Sequence, residues 1–210
     1  MARIRSADFE QQRDRLADQA VRLFAISDYA SASMAAIAEQ CDISKATLYH
    51  YFASKDDLLF HSLERYTLEL EALARDCLKD CAQDSGAGCL KPLVSSFVDA
   101  YADASHHHKA LVHDVHHLPE LHRERIRQIE RQIVRYFQQA MVSDFPELAH
   151  SPHLSVTSMS LLGMLNFSFT WWRSDGPMSR EAFAAELLGL WHGALAAKVA
   201  SLRFMEKTPG

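Results

Sequence analysis

Seven of the twelve histidines in this 210-residue chain fall between positions 106 and 122: His106, His107, His108, His113, His116, His117 and His122. Neutral imidazole binds zinc, copper or nickel, and its charge changes near neutral pH. Such a run can hold a metal, relay a proton or sense acidity. His113 and His117 stand one helical turn apart with Asp114 nearby, a usable ligand spacing. A His-rich metal-dependent hydrolase would also need a carboxylate base beside a ligand, as in HExxH, and that arrangement does not occur. Neither does a GxSxG elbow, a glycine-rich phosphate loop or a dinucleotide fingerprint. Pro119 interrupts the run, which favours histidines in a pocket or on the surface. No metal, cofactor or catalytic residue is expected.

A different chemistry is written at Ser44-Lys45-Ala46-Thr47. Short or flexible side chains at the exposed start of a helix suit the DNA major groove. Lysine can pair with guanine acceptors, and the methyls of alanine and threonine can touch a thymine methyl. Ser44 heads the helix, and Ser33, Tyr49, His50, Tyr51 and Lys55 flank it with donors suited to phosphate. Tyr49, His50 and Tyr51 cannot share one helix face, so at least one of them is exposed.

Hydrophobic spacing indicates the elements that must place these residues. Phe9, Leu16, Ala17, Ala20, Leu23 and Phe24 form one stripe on a helix over 8–27. Ser33 caps a second helix with Met34, Ile37 and Ala38 inward. Cys41-Asp42-Ile43 makes a tight turn, and Ser44 caps a third helix, Lys45 to about Tyr51, with Leu48 inward. Ser54-Lys55-Asp56-Asp57 is a capping signature for a fourth helix reaching about Cys81. A Gly-containing loop follows at 84–88, then helices near 91–105, 107–117, 120–143, 153–173 and 179–204. The expected class is all-α with about nine helices: a three-helix helix-turn-helix head over 1–54 and a larger helical body over 55–210.

Seven glycines and six prolines are too few for a many-stranded sandwich or barrel. No apolar run is long enough to span a membrane, and Met1-Ala2-Arg3-Ile4-Arg5 opens no signal peptide. A cytoplasmic chain with four reduced cysteines (Cys41, Cys77, Cys81 and Cys89) is expected. The net charge is −5, and the first 60 residues hold seven Lys/Arg against nine Asp/Glu. Any DNA footprint is therefore a local patch and not a basic domain. Arg3 and Arg5, ahead of the first helix, are placed to reach an adjacent minor groove.

The stretch Ile37-Ala38 followed by Ile43-Ser44-Lys45-Ala46-Thr47-Leu48-Tyr49-His50-Tyr51-Phe52-Ala53-Ser54-Lys55-Asp56-Asp57-Leu58 resembles the DNA-binding signature of the TetR family of repressors. The resemblance spans roughly residues 8–60. It implies a head that reads DNA on a body that binds ligand and dimerises, with Lys45, Ala46 and Thr47 at base edges. Ser33, Tyr49, His50 and Lys55 would hold phosphates. Three positions depart from the pattern: Asp28 and Asp42 where the family usually has glycine, and Ala32 where threonine is common. Aspartate tolerates left-handed backbone angles better than most residues.

In the body, the segment 156–172 is nearly all apolar or small, and a helix so apolar all round must be buried on most sides. The last helix adds Phe183, Leu187, Leu188, Leu190, Trp191 and Leu195, with Gly189 and Gly193 four apart. A four-helix homodimer interface made by two such pairs is expected, with Leu161, Leu165, Leu187, Leu190, Trp191 and Leu195 as its candidate residues. The alternative is a core internal to one chain. Gly163-Met164, Asn166-Phe167 and Trp171-Trp172, with Asp175-Gly176-Pro177-Met178-Ser179, resemble a TetR subgroup that senses CoA thioesters. That implies a long apolar pocket, for which Phe97, Tyr101, His113, Met164, Phe167 and Trp171 are candidates, with Arg123, Arg127 or Arg131 at its mouth. The chain is thus read as a repressor of a near-palindromic operator, released by a small hydrophobic effector such as an acyl- or aryl-CoA thioester. A metal-responsive repressor using the His106–His122 cluster is the alternative.

Overall fold

The computed structural model describes the backbone of residues 2–83 and 88–206 and the side chains of 7–82 and 88–195, so Arg3 and Arg5 lie outside the described side chains. The described residues form nine α-helices, with short 3₁₀ turns and no strand. They are α1 (Ala2–Ser27), α2 (Met34–Gln40), α3 (Lys45–Tyr51), α4 (Lys55–Gln83), α5 (Leu90–Asp103), α6 (Ser105–His113), α7 (Glu120–Asp144), α8 (Leu154–Asn166) and α9 (Arg180–Glu206). The chain divides into two compact units, each discontinuous in sequence. One comprises Met1–Glu71 with Ala104–Arg131, the other Ala72–Asp103 with Gln132–Gly210.

In the first unit the α1 stripe is buried as Leu16, Ala17, Ala20, Val21 and Phe24, joined by Ile37, Leu48, Phe52, Leu58 and Leu59. The stops between these helices follow local chemistry. Asp28, just past α1, has φ 64°. After α2, the Ile43 N–H donates to Ala38 O and the Asp42 N–H to Glu39 O, both at 3.0 Å, while Asp42 takes φ 54°. That is the Schellman stop, with aspartate in the left-handed position that glycine usually fills. Ser33 and Ser44 accept the N–H groups of Ala36 (3.1 Å) and Thr47 (3.0 Å), which caps α2 and α3. Ser54 accepts the Asp57 N–H while Asp57 accepts the Ala53 N–H, each at 3.0 Å, a reciprocal cap opening α4. α6 packs on α1, where the Lys109 ammonium donates to Ala25 O at 2.8 Å, a cation on the last turn of a helix.

In the second unit α5 packs against α9, and Phe97 is buried edge-on against Phe137 at 4.9 Å. Asp144 caps α5 by accepting the N–H groups of Cys89 (2.6 Å) and Leu90 (3.0 Å). The Trp191 indole N–H donates to Thr157 O at 3.2 Å and joins α9 to α8. Arg180 reaches Asp103 at 2.7 Å and Asp99 at 3.5 Å.

Two expected helices are shorter than their apolar pattern. The stretch 107–117 ends as α-helix at His113 and continues as a 3₁₀ turn over Val115–His117. The stretch 153–173 ends as α-helix at Asn166, whose side-chain carbonyl accepts the Tyr101 hydroxyl at 2.8 Å, and a 3₁₀ turn follows over Ser168–Thr170. Hydrophobicity alone gives no stop at either point.

Candidate nucleic-acid interface

α2 and α3 meet across the Asp42 turn with Ala38, Ile43 and Leu48 between them; Leu48 and Ala38 are buried and Ile43 half-buried. Ala38 there, with no side chain beyond Cβ, lets the two short helices cross closely. The opposite side of α3 is open: Ser44, Lys45, Ala46, Thr47, Tyr49 and His50 are all exposed, Tyr49 by 47%. Thr47 pairs its hydroxyl with Ser44 at 2.7 Å, so its methyl is the part left for a base edge. The Lys45 ammonium lies 5.8 Å from the Tyr49 ring centre. Ser33 is exposed as the cap of α2. This cluster presents the donors and methyls that groove reading requires.

Two residues expected at phosphates have other partners. Tyr51 is half-buried and stacks on Phe9 of α1 at 4.7 Å, with His50 edge-on to the same ring at 5.7 Å. Lys55 donates to Tyr29 O (2.7 Å) and Ala32 O (2.9 Å) and sits 4.2 Å over the Tyr29 ring. It braces the α1–α2 loop from the first turn of α4. Asp56 accepts the Tyr29 hydroxyl, and burial with this carboxylate pushes the phenol well above its ordinary range. Spacing could not reveal this brace, because its partners lie more than twenty residues away.

The histidines of 106–122 disperse among different partners. His107 pairs with Asp18 at 3.0 Å, and Asp18 also receives Arg65. Burial works to raise the Asp18 carboxyl, but the hydrogen bond from His107 and the Arg65 charge outweigh it and hold it below the usual carboxylate range. His108 is buried near Tyr66, His117 stacks on Tyr29 at 4.8 Å, and His122 stacks on Phe60 at 3.9 Å. Burial lowers His106, with Arg22, His107 and Lys109 adding to the effect. His113 is exposed. Burial raises Asp114 against the pull of the nearby histidines. Among the described residues no group of three or more His, Cys, Asp or Glu side chains could hold a metal ion.

In the second unit the expected pocket residues differ in exposure. Phe97 and Tyr101 are buried and Met164 half-buried, whereas Phe167 and Trp171 are 54% and 67% exposed. His113 belongs to the first unit. Of the six, Phe97 and Tyr101 are neighbours, with ring centres 5.7 Å apart, and Tyr101 bonds Asn166, which precedes Phe167. A cleft of about 110 Å³ in the second unit is lined by Val156, Thr157, Ser160, Trp191, Ala194 and Leu195.

The expected dimer residues also differ in exposure. Leu161, Leu165, Leu187, Trp191 and Leu195 are buried within the single chain, and Leu190 alone of the six is strongly exposed, by 70%. The open faces carry other residues: Val156, Met159 and Gly163 on α8, and Ala185, Gly189 and Gly193 beside Leu190 on α9. A side chain built at Gly163, Gly189 or Gly193 would meet nothing of its own chain. The glycine pair spaced by four was the signal that pointed to this face.

No helix among the described residues is long and apolar enough to cross a membrane. The model of bacterial regulatory proteins of the tetR family matches residues 16–61, and the tetracyclin repressor-like C-terminal domain matches 83–194. A TetR-family transcriptional regulator of Bordetella parapertussis has the same fold at 29% identity and a TM-score of 0.79, over 87% of this chain and 94% of that one. AibR, solved in complex with isovaleryl coenzyme A and operator DNA, shares the fold at 23% identity and a TM-score of 0.71, over 85% and 97% of the two chains. An uncharacterized HTH-type transcriptional regulator of Bacillus subtilis, YerO, is 26% identical over 102 residues, 49% of this chain and 34% of that relative's length. The chain belongs to the TetR family of bacterial helix-turn-helix transcriptional regulators.

Proposed function

We propose that this chain is a ligand-responsive repressor that binds a near-palindromic operator as a homodimer and lets go of DNA when a small hydrophobic effector binds. Residues 1–54 are the DNA-reading head, and 55–210 bind the effector and dimerise. The observation that carries this reading is the open start of α3, where Lys45, Ala46 and Thr47 stand exposed on a helix fixed by Ser44, Asp42 and Leu48. Two copies are needed to read two half-sites about 34–36 Å apart. The apolar and small face of α8 and α9 supplies a self-complementary surface for that pairing.

An acyl- or aryl-CoA thioester is the effector class best supported. AibR, of the same fold, was solved with isovaleryl coenzyme A, and the apolar second unit suits an acyl or aryl group. The separate partners of the histidines favour an organic effector over a metal. A ligand releases DNA only by binding the DNA-incompetent state more tightly. Here it acts through α4, which contributes residues to both units.

The test has two parts. Gel-shift titration against the DNA upstream of the chain's own reading frame, at several salt concentrations, should show salt-sensitive and sequence-selective binding; its absence overturns the DNA reading. Thermal unfolding with a panel of CoA thioesters, the free acids and divalent metals then addresses the effector. A ligand at about 100 times its Kd adds roughly 2.7 kcal/mol. Stabilisation by metals alone would overturn the thioester reading.

A further inference from the structure

A cleft of about 430 Å³ in the first unit is lined by α1 and by Gln40, the last residue of α2. It includes neither the exposed start of α3 nor any residue of the second unit. Arg15, Gln19 and Arg22 line it from one face of α1, four and three residues apart, a rise of about 10 Å from first to last. Leu23 and Ile26 continue it as an apolar wall, and Ile26 is 81% exposed. Among the described residues neither Arg15 nor Arg22 pairs with a carboxylate, whereas Arg13 and Arg65 of the same unit each have more than one. Arg15 makes a single long hydrogen bond, to Gln12 at 3.4 Å. The carboxylate that lines the cleft, Asp18, is already taken by Arg65 and by His107 at 3.0 Å. Two guanidinium groups and the Gln19 and Gln40 amides are thus left to a visitor.

We propose that this cleft is a second ligand site, for a small phosphate monoester carrying an apolar group, separate from the reading start of α3 and from the effector region of the body. A guanidinium presents a planar fork of donors that matches the oxygens of phosphate or carboxylate. The two oxygens of a carboxylate are satisfied by one fork. The three terminal oxygens of a phosphate can accept from two forks and an amide at once, which is the set of donors that Arg15, Arg22 and Gln19 supply. A phosphate centred over Gln19 has one arginine a turn before it and one a turn after it on α1. The group that it esterifies then covers Leu23 and Ile26 and removes exposed apolar surface from water. A duplex backbone brings phosphates to such arginines but nothing apolar to cover an exposed isoleucine, which favours a small ester over DNA.

Phenyl phosphate is titrated with the full chain in low-salt buffer without DNA and followed by its phosphorus NMR shift, with inorganic phosphate and benzoate as competitors. The expected result is saturable binding that Arg15→Gln and Arg22→Gln each weaken by about tenfold or more, with the helical spectrum unchanged. Lys91→Gln, at an exposed lysine of the second unit, leaves that binding as it was. Ile26→Ser weakens phenyl phosphate and spares inorganic phosphate. The proposal is overturned if phenyl phosphate does not saturate the chain, if either arginine variant binds it as wild type does, or if benzoate competes as well as the ester itself. It is also overturned if the arginine variants lose affinity for duplex DNA while keeping phenyl phosphate, which would make both residues backbone contacts. Because the titration contains no DNA, failure here leaves the operator reading standing.

Discussion

Lys55→Met separates two roles for one motif lysine, phosphate contact and internal brace. Methionine keeps the length of the apolar stem and removes the ammonium. The loss comprises the charge-assisted hydrogen bonds to Tyr29 O and Ala32 O and the cation over the Tyr29 ring. Hydrogen bonds to a charged group contribute about 1.5–3 kcal/mol each and an exposed cation–π contact about 0.5–1 kcal/mol. The three share one ammonium on a half-buried residue, and water can replace part of what is lost. A total of about 2–4 kcal/mol is therefore expected, below the simple sum. For a chain of this size, each kcal/mol lowers Tm by roughly 2–4 °C, so the variant should melt on the order of 4–16 °C lower by circular dichroism at matched protein concentration. A lysine that instead holds phosphate gives a different result. Tm would stay within a degree of wild type, affinity would fall alike for all duplexes, and the slope of log K against log salt would shrink by about 0.9. That outcome would refute the bracing argument.

Three other perturbations test separate parts of the molecule. Tyr49→Ala should weaken binding to every duplex, whereas Thr47→Ala should change the ranking of operator variants by about 1–3 kcal/mol at one base pair, read by competition gel shift. Leu190→Glu, at a residue exposed in the single chain, should leave the helical spectrum intact but convert the protein to monomer in sedimentation at micromolar concentration; Leu165→Ala, in the buried core, should cost about 2–5 kcal/mol of stability. The Asp18 carboxyl is held below its ordinary range in the folded chain, so its stabilisation is present above the unfolded carboxylate range and lost as pH falls from there through the lower folded value. Asp18→Asn should therefore flatten the acid limb of a stability–pH curve below about pH 4.

The head was legible in the sequence because its signals are local. Ser33, Ser44 and Ser54 cap within three residues, and Asp42 marks the stop of α2 by its place between two short helices. The partners of those residues were less legible. Lys55 and Tyr51 carry the right donors for phosphate, but their contacts come from Tyr29, Ala32 and Phe9, on the other side of α2 and α3. The histidines show the same gap: spacing located His113 and His117 but could not foresee that Tyr29, Phe60 and Asp18 would take separate rings. In α8 and α9 nearly every position is apolar or small. Periodicity there cannot tell the face that packs inside the chain from the face that stays open. Leu161 and Trp191 went to the first, and Val156 and Leu190 to the second.

The internal use of positive charge in the first unit has a consequence for how operator sites are found. Arg13 is directed to Asp57 and Glu10, Arg65 to Asp14 and Asp18, and Lys55 to backbone carbonyls. Each cation held this way displaces no counterion from a DNA duplex, and counterion release supplies essentially all sequence-independent affinity. Random genomic DNA then offers the protein a shallow energy well. Brief dwell times on the wrong sequence and short sliding tracks are the expected result, with the search proceeding mainly by repeated dissociation and three-dimensional encounter.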